Sequence, residues 1–315
     1  MGRTNNLKLF AGTANPQLAK AIADYLHLPL GDLKISRFSD GETYVKFNES
    51  VRGVDAFVIQ PTSPPVDNNL VQLLILMDAL RRASADRITA VISYYGYARQ
   101  EKKDAPREPI TAKMVADILT AAGANRIVTM DLHAEAIQGF FNIPVDHLTA
   151  VSVISQYIGD KNLANMVIVS PDEGRVKKVR QVTGRLNAPL AVGYKYRPGH
   201  QVSEVTHLAG DVRDKVPIIV EDMITTGGSV NECVDALLKH GCKPEIYIAA
   251  THGVLTGPAF ERLARPEIKE VIITDTIPLP DNCSLGKLKV LSVASLFGEA
   301  IRRVHEDLSI TSLFD

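Results

Sequence analysis

The sequence predicts an α/β fold, in which mostly parallel sheets are flanked by helices. Short β-branched runs alternate with longer stretches of helical period along the whole 315-residue chain. Hydrophobic residues make up 45% and charged residues 23% of the composition, which are ordinary proportions for a packed globular protein. The length predicts about two domains, each large enough to bury a core of its own.

Periodicity and length predict the individual elements. The strands are short and apolar, whereas the helical stretches place apolar residues three and four apart. Gly123 and Gly241 stand where helices are expected to end. The predicted strands are residues 7–10, 56–60, 88–93, 126–130, 166–170, 218–220, 246–250 and 270–274. The predicted helices are residues 15–26, 70–83, 112–122, 176–186 and 230–240.

An internal repeat indicates that the two domains are similar. Asp78-Ala79-Leu80 recurs as Asp235-Ala236-Leu237, and residues 89–92 fall on residues 246–249 at the same offset. Chance is the alternative, because a three-residue match is weak alone, but the length prediction agrees with duplication. We therefore predict two domains, residues 1–149 and 150–315, with the last residues of the chain as candidates for packing on the first domain.

Composition and charge exclude several classes of function. The chain carries 35 Lys and Arg against 36 Asp and Glu, which gives no overall cationic field for a nucleic-acid partner. No apolar run approaches the roughly 20 residues of a membrane helix, and the N-terminus has no secretory pattern. We expect a cytoplasmic protein with no membrane partner. Its three cysteines lack a Cys-x-x-Cys pair, which argues against a disulfide framework and a thiolate zinc site.

The most informative segment is residues 216–229, which read VPIIVEDMITTGGS. An apolar strand leads into Glu221 and Asp222, so two carboxylates are expected at the carboxyl edge of a sheet, where ligands of open α/β folds bind. The turn that follows offers hydroxyls and unobstructed N–H groups at a helix N-terminus, through Thr225, Thr226, Gly227, Gly228 and Ser229. This pattern predicts a site for a sugar phosphate. The alternative is an ordinary turn capped by Ser229.

Several motifs together resemble a known family. Residues 216–229 resemble the phosphoribosyl-diphosphate-binding loop of type I phosphoribosyltransferases. Over residues 7–314 the chain resembles ribose-phosphate diphosphokinase, through the motifs FSDGE (38–42), YARQ (97–100), DLHAE (131–135), QGFF (138–141) and SPD (170–172). The resemblance implies two phosphoribosyltransferase-like domains. It also implies transfer of the diphosphoryl group of ATP to the 1-hydroxyl of ribose 5-phosphate, with release of AMP and a need for Mg²⁺, in nucleotide and amino-acid biosynthesis.

The same resemblance implies that ATP binds through the N-terminal domain. The chain contains no Walker sequence, so another nucleotide cradle is required. Phe38 and Arg99 would enclose the adenine, with an aromatic face on one side and a guanidinium plane on the other. The remaining implied ATP contacts are Asp40, Gly41, Glu42, Gln100 and His133. The charged segment 99–109 adds Lys102, Lys103 and Arg107 as candidates for contacts to phosphates or to a neighbouring subunit.

The candidate magnesium ligands are His133 and Asp172. Each follows an apolar strand and is therefore expected at a carboxyl edge. A lone histidine in such a place is more often a structural residue, but the family pairs these two positions on magnesium. Magnesium takes much of its shell from water and substrate phosphates, so one imidazole and one carboxylate suffice.

The predicted catalytic pair is Lys195 and Arg197, and Arg197 is also an implied ribose 5-phosphate contact. Both lie in a polar stretch, residues 192–202, which we expect to be a flexible loop above the sheet of the C-terminal domain. Their charges would neutralise oxygens that become more negative during transfer. No covalent nucleophile is needed, because such transfers depend on alignment and charge stabilisation. The alternative is two solvated loop charges.

Assembly and regulation enter only through the resemblance. Hexameric members of the family bind regulatory phosphate or ADP between subunits. The matching positions in this chain are Arg52, Ser84, Ser309 and Ser312. We therefore expect a homo-oligomer, a hexamer by resemblance.

Four positions depart from the usual family pattern. Thr225 and Glu221 each stand where an aspartate is common, Tyr196 where an arginine is common, and Arg175 where a glycine is common. Thr225 removes a carboxylate from the sugar-phosphate loop, although hydroxyl residues occur there in other type I phosphoribosyltransferases. Arg175 adds bulk beside Asp172.

Two other functions remain open at this point. A phosphoribosyltransferase would need only the loop at 221–229, and that function leaves the motifs at 38–42 and 97–100 unexplained. A catalytically silent paralogue would keep the fold and adjust active subunits. The retained His133, Asp172, Lys195 and Arg197 argue against such a paralogue, whereas the departures from the family pattern favour it.

Overall fold

A computed structural model describes residues 6–199, 202–280, 283 and 285–313, and at 195–199, 202–206 and 312 it describes the backbone alone. The chain divides into two compact units. Unit 1 comprises Met1–Thr149, Thr276–Pro278 and Ser292–Asp315, and unit 2 comprises Ala150–Asp275 and Leu279–Leu291. The last segment of the chain thus belongs to the first unit.

The elements follow one another in the alternating order that the sequence predicts. The strands are Leu7–Ala11 (β1), Leu33–Arg37 (β2), Thr43–Phe47 (β3), Asp55–Ile59 (β4), Arg87–Ile92 (β5), Arg126–Met130 (β6), Val145–Leu148 (β7), Met166–Ser170 (β8), Leu190–Gly199 (β9), Val202–Ala209 (β10), Val216–Ile224 (β11), Ile246–Gly253 (β12), Ile268–Thr274 (β13) and Leu288–Leu291 (β14). The α-helices are Pro16–Leu26 (α1), Val66–Arg82 (α2), Thr111–Ala122 (α3), Val151–Asp160 (α4), Val176–Leu186 (α5), Gly228–Lys239 (α6), Ala259–Leu263 (α7) and Ala294–His305 (α8).

Unit 1 contains a five-stranded parallel sheet in the order β1-β4-β5-β6-β7. Its register pairs Phe10 with Val58 and Val58 with Ala90. The strands β2 and β3 form a separate antiparallel pair. Unit 2 contains a seven-stranded sheet in the order β10-β9-β8-β11-β12-β13-β14, in which only the pairing of β10 with β9 is antiparallel.

The two sheets repeat one topology. The order β1-β4-β5-β6-β7 corresponds to β8-β11-β12-β13-β14 in the second unit. In each copy the second strand leads into the helix that carries the repeated Asp-Ala-Leu, which is α2 or α6, and then into the next strand of the sheet. This confirms the predicted α/β class with two similar sheets.

Each core forms where an apolar helix stripe packs on a sheet. Helix α2 buries Leu73, Met77 and Leu80, and α6 buries Val234 and Leu237. Full burial of one such side chain contributes about 1.5–3 kcal/mol relative to leaving it exposed. These cores fix β4 and β11, so that the polar turns after them begin from rigid edges. Among the described residues, no helix combines the length and hydropathy needed to cross a membrane.

Two elements differ from the sequence prediction near the residues of interest. Strand β11 spans nine residues rather than the predicted three, so Glu221 and Asp222 lie inside the strand. The polar stretch at 192–202 is not a loop over its described backbone. It contributes to β9 and β10, which pair with Val192 opposite Ala209 and Lys195 opposite Val205. The sequence did not predict these strands because the segment is rich in polar residues. In addition, β10 is an edge strand without an alternating apolar pattern.

Candidate active site

Strand β11 carries two adjacent carboxylates, Glu221 and Asp222, which we call the acidic doublet. Glu221 pairs in register with Ala250 of β12, toward the carboxyl end of the sheet. Both residues are buried, with 6% of Glu221 and 3% of Asp222 exposed. Burying a charged carboxylate is costly unless it is paired or hydrogen-bonded. Other groups in the fold must therefore compensate the negative charge of the acidic doublet.

The turn after the acidic doublet, residues 225–229, is the glycine loop. Gly227 has φ 71°, a left-handed conformation that favours glycine, and it is the N-cap residue of α6. No side chain caps this helix, and its first turn carries no acidic residue. The alternative of a turn capped by Ser229 is therefore wrong. A twelve-residue helix whose first N–H groups lack a side-chain cap is suited to bind an anion.

Backbone and side-chain contacts hold the glycine loop in place. Leu255 N–H donates to Ile224 O at 3.0 Å, and Thr256 N–H donates to Thr225 O at 2.9 Å. On α7, Arg262 Nη1 donates to Thr226 O at 3.0 Å. A Cβ added at Gly228 would lie 3.4 Å from the same Nη1 atom. The guanidinium of Arg262 thus lies beside the N-terminus of α6, a placement that an anion would favour.

Arg175 contacts both members of the acidic doublet. Its Nη2 lies 3.1 Å from Asp222 Oδ2, and its Nε lies 3.8 Å from Glu221 Oε2. The other Asp222 oxygen, Oδ1, accepts a hydrogen bond from Met223 N–H at 2.9 Å. The sequence predicted only that Arg175 adds bulk near Asp172. The structure shows in addition that its charge compensates the buried carboxylates.

Asp172 follows β8, the strand that pairs with β11. Ser170 Oγ donates to Asp172 O at 2.7 Å, which ties the turn to the end of the strand. The Asp172 side chain is half-buried. A Cβ at Gly174 would lie 3.3 Å from Asp172 Oδ1, so the turn leaves little room beside this carboxylate.

In unit 1, His133 lies in a turn that β7 holds in place. Asp131 has φ 41°, and its Oδ1 accepts a hydrogen bond from Thr149 Oγ1 at 2.9 Å. Leu132 N–H donates to His147 Nε2 at 2.8 Å. This bond requires the Nε2 of His147 to be unprotonated. His133 itself is half-buried, and sequence reasoning missed His147 as the residue that fixes its turn.

The loop between β2 and β3 carries Phe38 and its polar neighbours. Phe38 N–H donates to Glu42 O at 2.9 Å, and Asp40 Oδ1 accepts from Glu42 N–H at 3.1 Å. Gly41 has φ 95°, with nothing within 4 Å of an added Cβ. The Phe38 side chain is 55% exposed and packs edge-on against Tyr44, with ring centroids 5.6 Å apart. A ring so exposed is available for stacking on a ligand.

Arg99 and Gln100 lie in the segment between β5 and α3, and both are exposed. Gln100 Oε1 accepts a hydrogen bond from Thr111 Oγ1 at 2.5 Å. The Tyr97 hydroxyl donates to Asp67, a bond that raises the pKa of Tyr97. Within the described residues the ring contact of Phe38 is with Tyr44, not with Arg99. The adenine sandwich therefore stays a prediction.

The side chains of Lys195, Arg197 and Ser312 lie outside the described part of the structure. Arg52 is exposed and precedes Gly53, whose N–H donates to Ser84 O at 2.8 Å, so Arg52 and Ser84 lie on adjacent turns. Ser309 is exposed, and its Oγ donates to Thr311 Oγ1 at 3.0 Å. The catalytic and regulatory roles of these residues stay predictions.

No metal cage formed by protein side chains alone is present in the described residues, because no three His, Cys, Asp or Glu side chains converge on one point there. Thiol chemistry has little support either. Burial raises the pKa of the Cys242 thiol to about 11, which keeps it protonated near neutral pH.

Comparisons with known proteins give a consistent result. Residues 7–123 match the family model for the N-terminal domain of ribose phosphate pyrophosphokinase, and residues 194–315 match the phosphoribosyl synthetase-associated domain. The chain is 56% identical over 312 residues to a ribose-phosphate pyrophosphokinase of Caldanaerobacter subterraneus, covering 99% of this chain and 98% of that one. It is 48% identical over 309 residues to the Bacillus subtilis protein of the same name, covering 98% and 97%.

A solved structure is similar over almost the full length. It is the crystal structure of phosphoribosylpyrophosphate synthetase from Mycobacterium smegmatis, with a TM-score of 0.90 and 44% sequence identity. The match covers 96% of this chain and 100% of that chain.

Proposed function

The chain belongs to the ribose-phosphate pyrophosphokinase family, and from that premise we propose which of its residues carry the reaction. The enzyme transfers the diphosphoryl group of ATP to the 1-hydroxyl of ribose 5-phosphate, which gives 5-phosphoribosyl 1-diphosphate and AMP. One observation carries the residue assignment. In unit 2 a buried acidic doublet leads, three residues later, into a glycine loop at a helix N-terminus without a side-chain cap.

Ribose 5-phosphate binds along this segment in our proposal. The 5-phosphate accepts hydrogen bonds from the N–H groups at the start of α6, where the helix dipole also favours an anion. The hydroxyls of Thr225, Thr226 and Ser229 add donors on the same loop. The 2- and 3-hydroxyls of the sugar donate to Glu221 and Asp222, and hydrogen bonds to ionised acceptors are stronger than neutral ones. The segment thus recognises both ends of the sugar.

ATP binds through unit 1. The exposed ring of Phe38 stacks on the adenine, and Arg99 contributes its guanidinium plane. The polar edge of the base is recognised by Asp40, Glu42 and Gln100, and Gly41 lets the loop turn without a side chain. Lys102, Lys103 and Arg107 supply positive charge toward the phosphates.

Magnesium, when bound, neutralises charge on the transferred phosphates. His133 and Asp172 each offer one ligand atom. Their chemistry fits this role, because one half-buried carboxylate and one half-buried imidazole stand at the ends of parallel strands. Water and substrate phosphates complete the shell, as this ion prefers.

Lys195 and Arg197 stabilise the transferring group in our proposal. The 1-hydroxyl of the sugar attacks the β-phosphorus and loses its proton to water. The bond between the β-phosphorus and the α-phosphate oxygen breaks, and AMP leaves with the electron pair. Cationic side chains offset the charge that grows on these oxygens. We further propose a cytoplasmic homo-oligomer of hexameric size, with Arg52, Ser84, Ser309 and Ser312 at a regulatory phosphate or ADP site.

A coupled assay of AMP release tests the proposed function. Purified protein is incubated with ATP and Mg²⁺, with and without ribose 5-phosphate, and phosphoribosyl diphosphate is measured in parallel. We expect both products in equal amounts, only when sugar and Mg²⁺ are present. Failure to form either product would favour a silent paralogue. Consumption of phosphoribosyl diphosphate on addition of a nucleobase would indicate a phosphoribosyltransferase.

A further inference from the structure

The acidic doublet presents an electrostatic problem that its own unit must solve. Two adjacent carboxylates are buried side by side, and like charges in a poorly solvated place repel strongly. Isolated buried charges are unstable unless they are paired or coordinate a cation. A positive group of some kind must therefore accompany Glu221 and Asp222.

The chain supplies that positive group itself, at Arg175. The guanidinium lies 3.1 Å from Asp222 and 3.8 Å from Glu221, measured between the nearest nitrogen and oxygen of each pair. It is well shielded from solvent, since only 16% of its side chain is exposed. Arg175 ends the turn that follows β8, which is the strand beside β11. The arginine thus approaches the acidic doublet from a neighbouring strand end.

We infer that Arg175 is the resident cation of the ribose site, a positioning residue that makes sugar binding to the acidic doublet independent of a divalent metal. The inference rests on the proposed function, because it assumes that the sugar hydroxyls bind Glu221 and Asp222. Arginine suits the role for two reasons. Its charge is permanent, and its planar group can contact two carboxylates at once.

The donors that contact the two carboxylate oxygens of Asp222 support this inference. Asp222 Oδ2 faces Arg175 and Asp222 Oδ1 accepts from Met223 N–H, so both oxygens already have a donor. A divalent cation would have to compete with a guanidinium already in contact. The negative charge near the acidic doublet is also smaller than with a third carboxylate, since the glycine loop carries Thr225 instead. The acidic doublet therefore does not fit a metal site.

Calorimetric titration with ribose 5-phosphate tests the inference without turnover. The protein is titrated in EDTA and again in Mg²⁺, in the absence of ATP. The wild type is expected to bind with affinities that differ less than about threefold between the two conditions. Arg175→Ala is expected to bind at least about tenfold more weakly in EDTA, because a buried charge pair has lost one partner. Added Mg²⁺ should then recover most of that loss, since the carboxylates that have lost their guanidinium partner can bind a metal.

Three further samples make the test specific. Arg180→Ala removes an exposed arginine from α5, the helix that follows Arg175, and should bind as the wild type does. Arg175→Lys keeps the charge without the planar group and should lie between the wild type and Arg175→Ala in EDTA. Free guanidinium at low millimolar concentration should restore binding to Arg175→Ala in EDTA, whereas sodium at equal ionic strength should not. Arg175→Lys remains informative if Arg175→Ala fails to fold.

Two results would overturn the inference while leaving the proposed function intact. One is a wild type that binds the sugar only with Mg²⁺, and the other is an Arg175→Ala variant that binds normally in EDTA. A wild type that binds no ribose 5-phosphate even with Mg²⁺ would instead reject the sugar site itself, and the inference with it.

Discussion

The turn after β4 and the turn after β11 occupy the same place in the two copies of the sheet, yet they are built differently. After β4, Gln60 is completely buried, and its Nε2 donates to Gln72 Oε1 at 2.9 Å. Gln60 Oε1 accepts a hydrogen bond from Ala14 N–H at 3.0 Å. The buried amide of Gln60 after β4 is thus uncharged, and both its oxygen and its nitrogen have hydrogen-bond partners. The end of β11 instead carries the charged acidic doublet, and the turn after this strand is the glycine loop.

The helix that follows each turn repeats the contrast. Neither α2 nor α6 has a side-chain cap, but α2 carries Asp67 in its first turn, and α6 carries no acidic residue there. A carboxylate near a helix N-terminus interacts favourably with the helix dipole. Unit 1 thus supplies its own anion at the helix N-terminus, whereas the first turn of α6 supplies none. We therefore expect the turn after β4 to be structural and the turn after β11 to bind a ligand.

The largest predicted effect is a loss of kcat/KM that occurs on changing the acidic doublet but not the turn after β4. Asp222→Ala should lower kcat/KM for ribose 5-phosphate by about a thousandfold, because a charged partner of the sugar is lost. Gln60→Ala, the matched change in the turn after β4, should stay within threefold of the wild type per folded molecule. Steady-state AMP release checks both, with circular dichroism to confirm folding. Equal losses in the two variants would contradict the functional difference between the turns.

The next prediction concerns strands that only unit 2 has. β9 and β10 extend its sheet beyond the five strands common to both units, and β9 carries Lys195. Lys195→Ala should lower turnover at least about a hundredfold and leave ATP affinity within a few fold, as for loss of a transition-state donor. Lys239→Ala removes an exposed lysine at the end of α6 and serves as the control. Unchanged turnover of Lys195→Ala would remove that residue from its catalytic role.

A smaller effect is expected at Arg262, whose guanidinium holds the glycine loop at Thr226 O. Arg262→Ala should raise KM for ribose 5-phosphate by about tenfold with little change in kcat, because it weakens ground-state and transition-state binding alike. Arg213→Ala, which removes an exposed arginine elsewhere in unit 2, should change neither constant. A fall in kcat at constant KM would contradict a role limited to sugar-phosphate binding.

The smallest catalytic effect should come from the amide cluster of unit 1. Gln72 Oε1 accepts from Gln60 and from both the N–H and the hydroxyl of Thr13. Gln72→Ala should reduce the free energy of unfolding by about 2 kcal/mol, because buried donors lose their acceptor. Ribose 5-phosphate kinetics should stay within twofold. Chemical denaturation measures the first quantity, and a large kinetic change would show that this cluster is more than structural.

The buried strands were predictable because their apolar runs are strong local signals. Strands β6 and β8 match the predicted residues 126–130 and 166–170. The hairpin strands β2 and β3 were missed, although residues 33–36 and 45–47 alternate apolar and polar side chains over short runs. The span of β11 was underestimated because Glu221 and Asp222 are polar residues buried inside a strand.

The candidate site likewise has a part that the sequence could predict and a part that it could not. The acidic doublet and the glycine loop form one continuous segment, so the sequence alone brings them together. Other elements bring three further residues to their contacts, and no local pattern reveals such tertiary contacts. Arg175 lies at the N-cap of α5, Arg262 on α7 and His147 on β7. The departure at Arg175 was visible in the sequence, but its partners became known only from the fold.

A crystal structure with bound ribose 5-phosphate would locate the sugar site. We expect the phosphate at the N–H groups of residues 226–229 and two sugar hydroxyls within hydrogen-bonding distance of Glu221 and Asp222, with Arg175 still in contact with both carboxylates. A sugar bound at the turn after β4, or a glycine loop left empty under saturating ligand, would contradict this expectation.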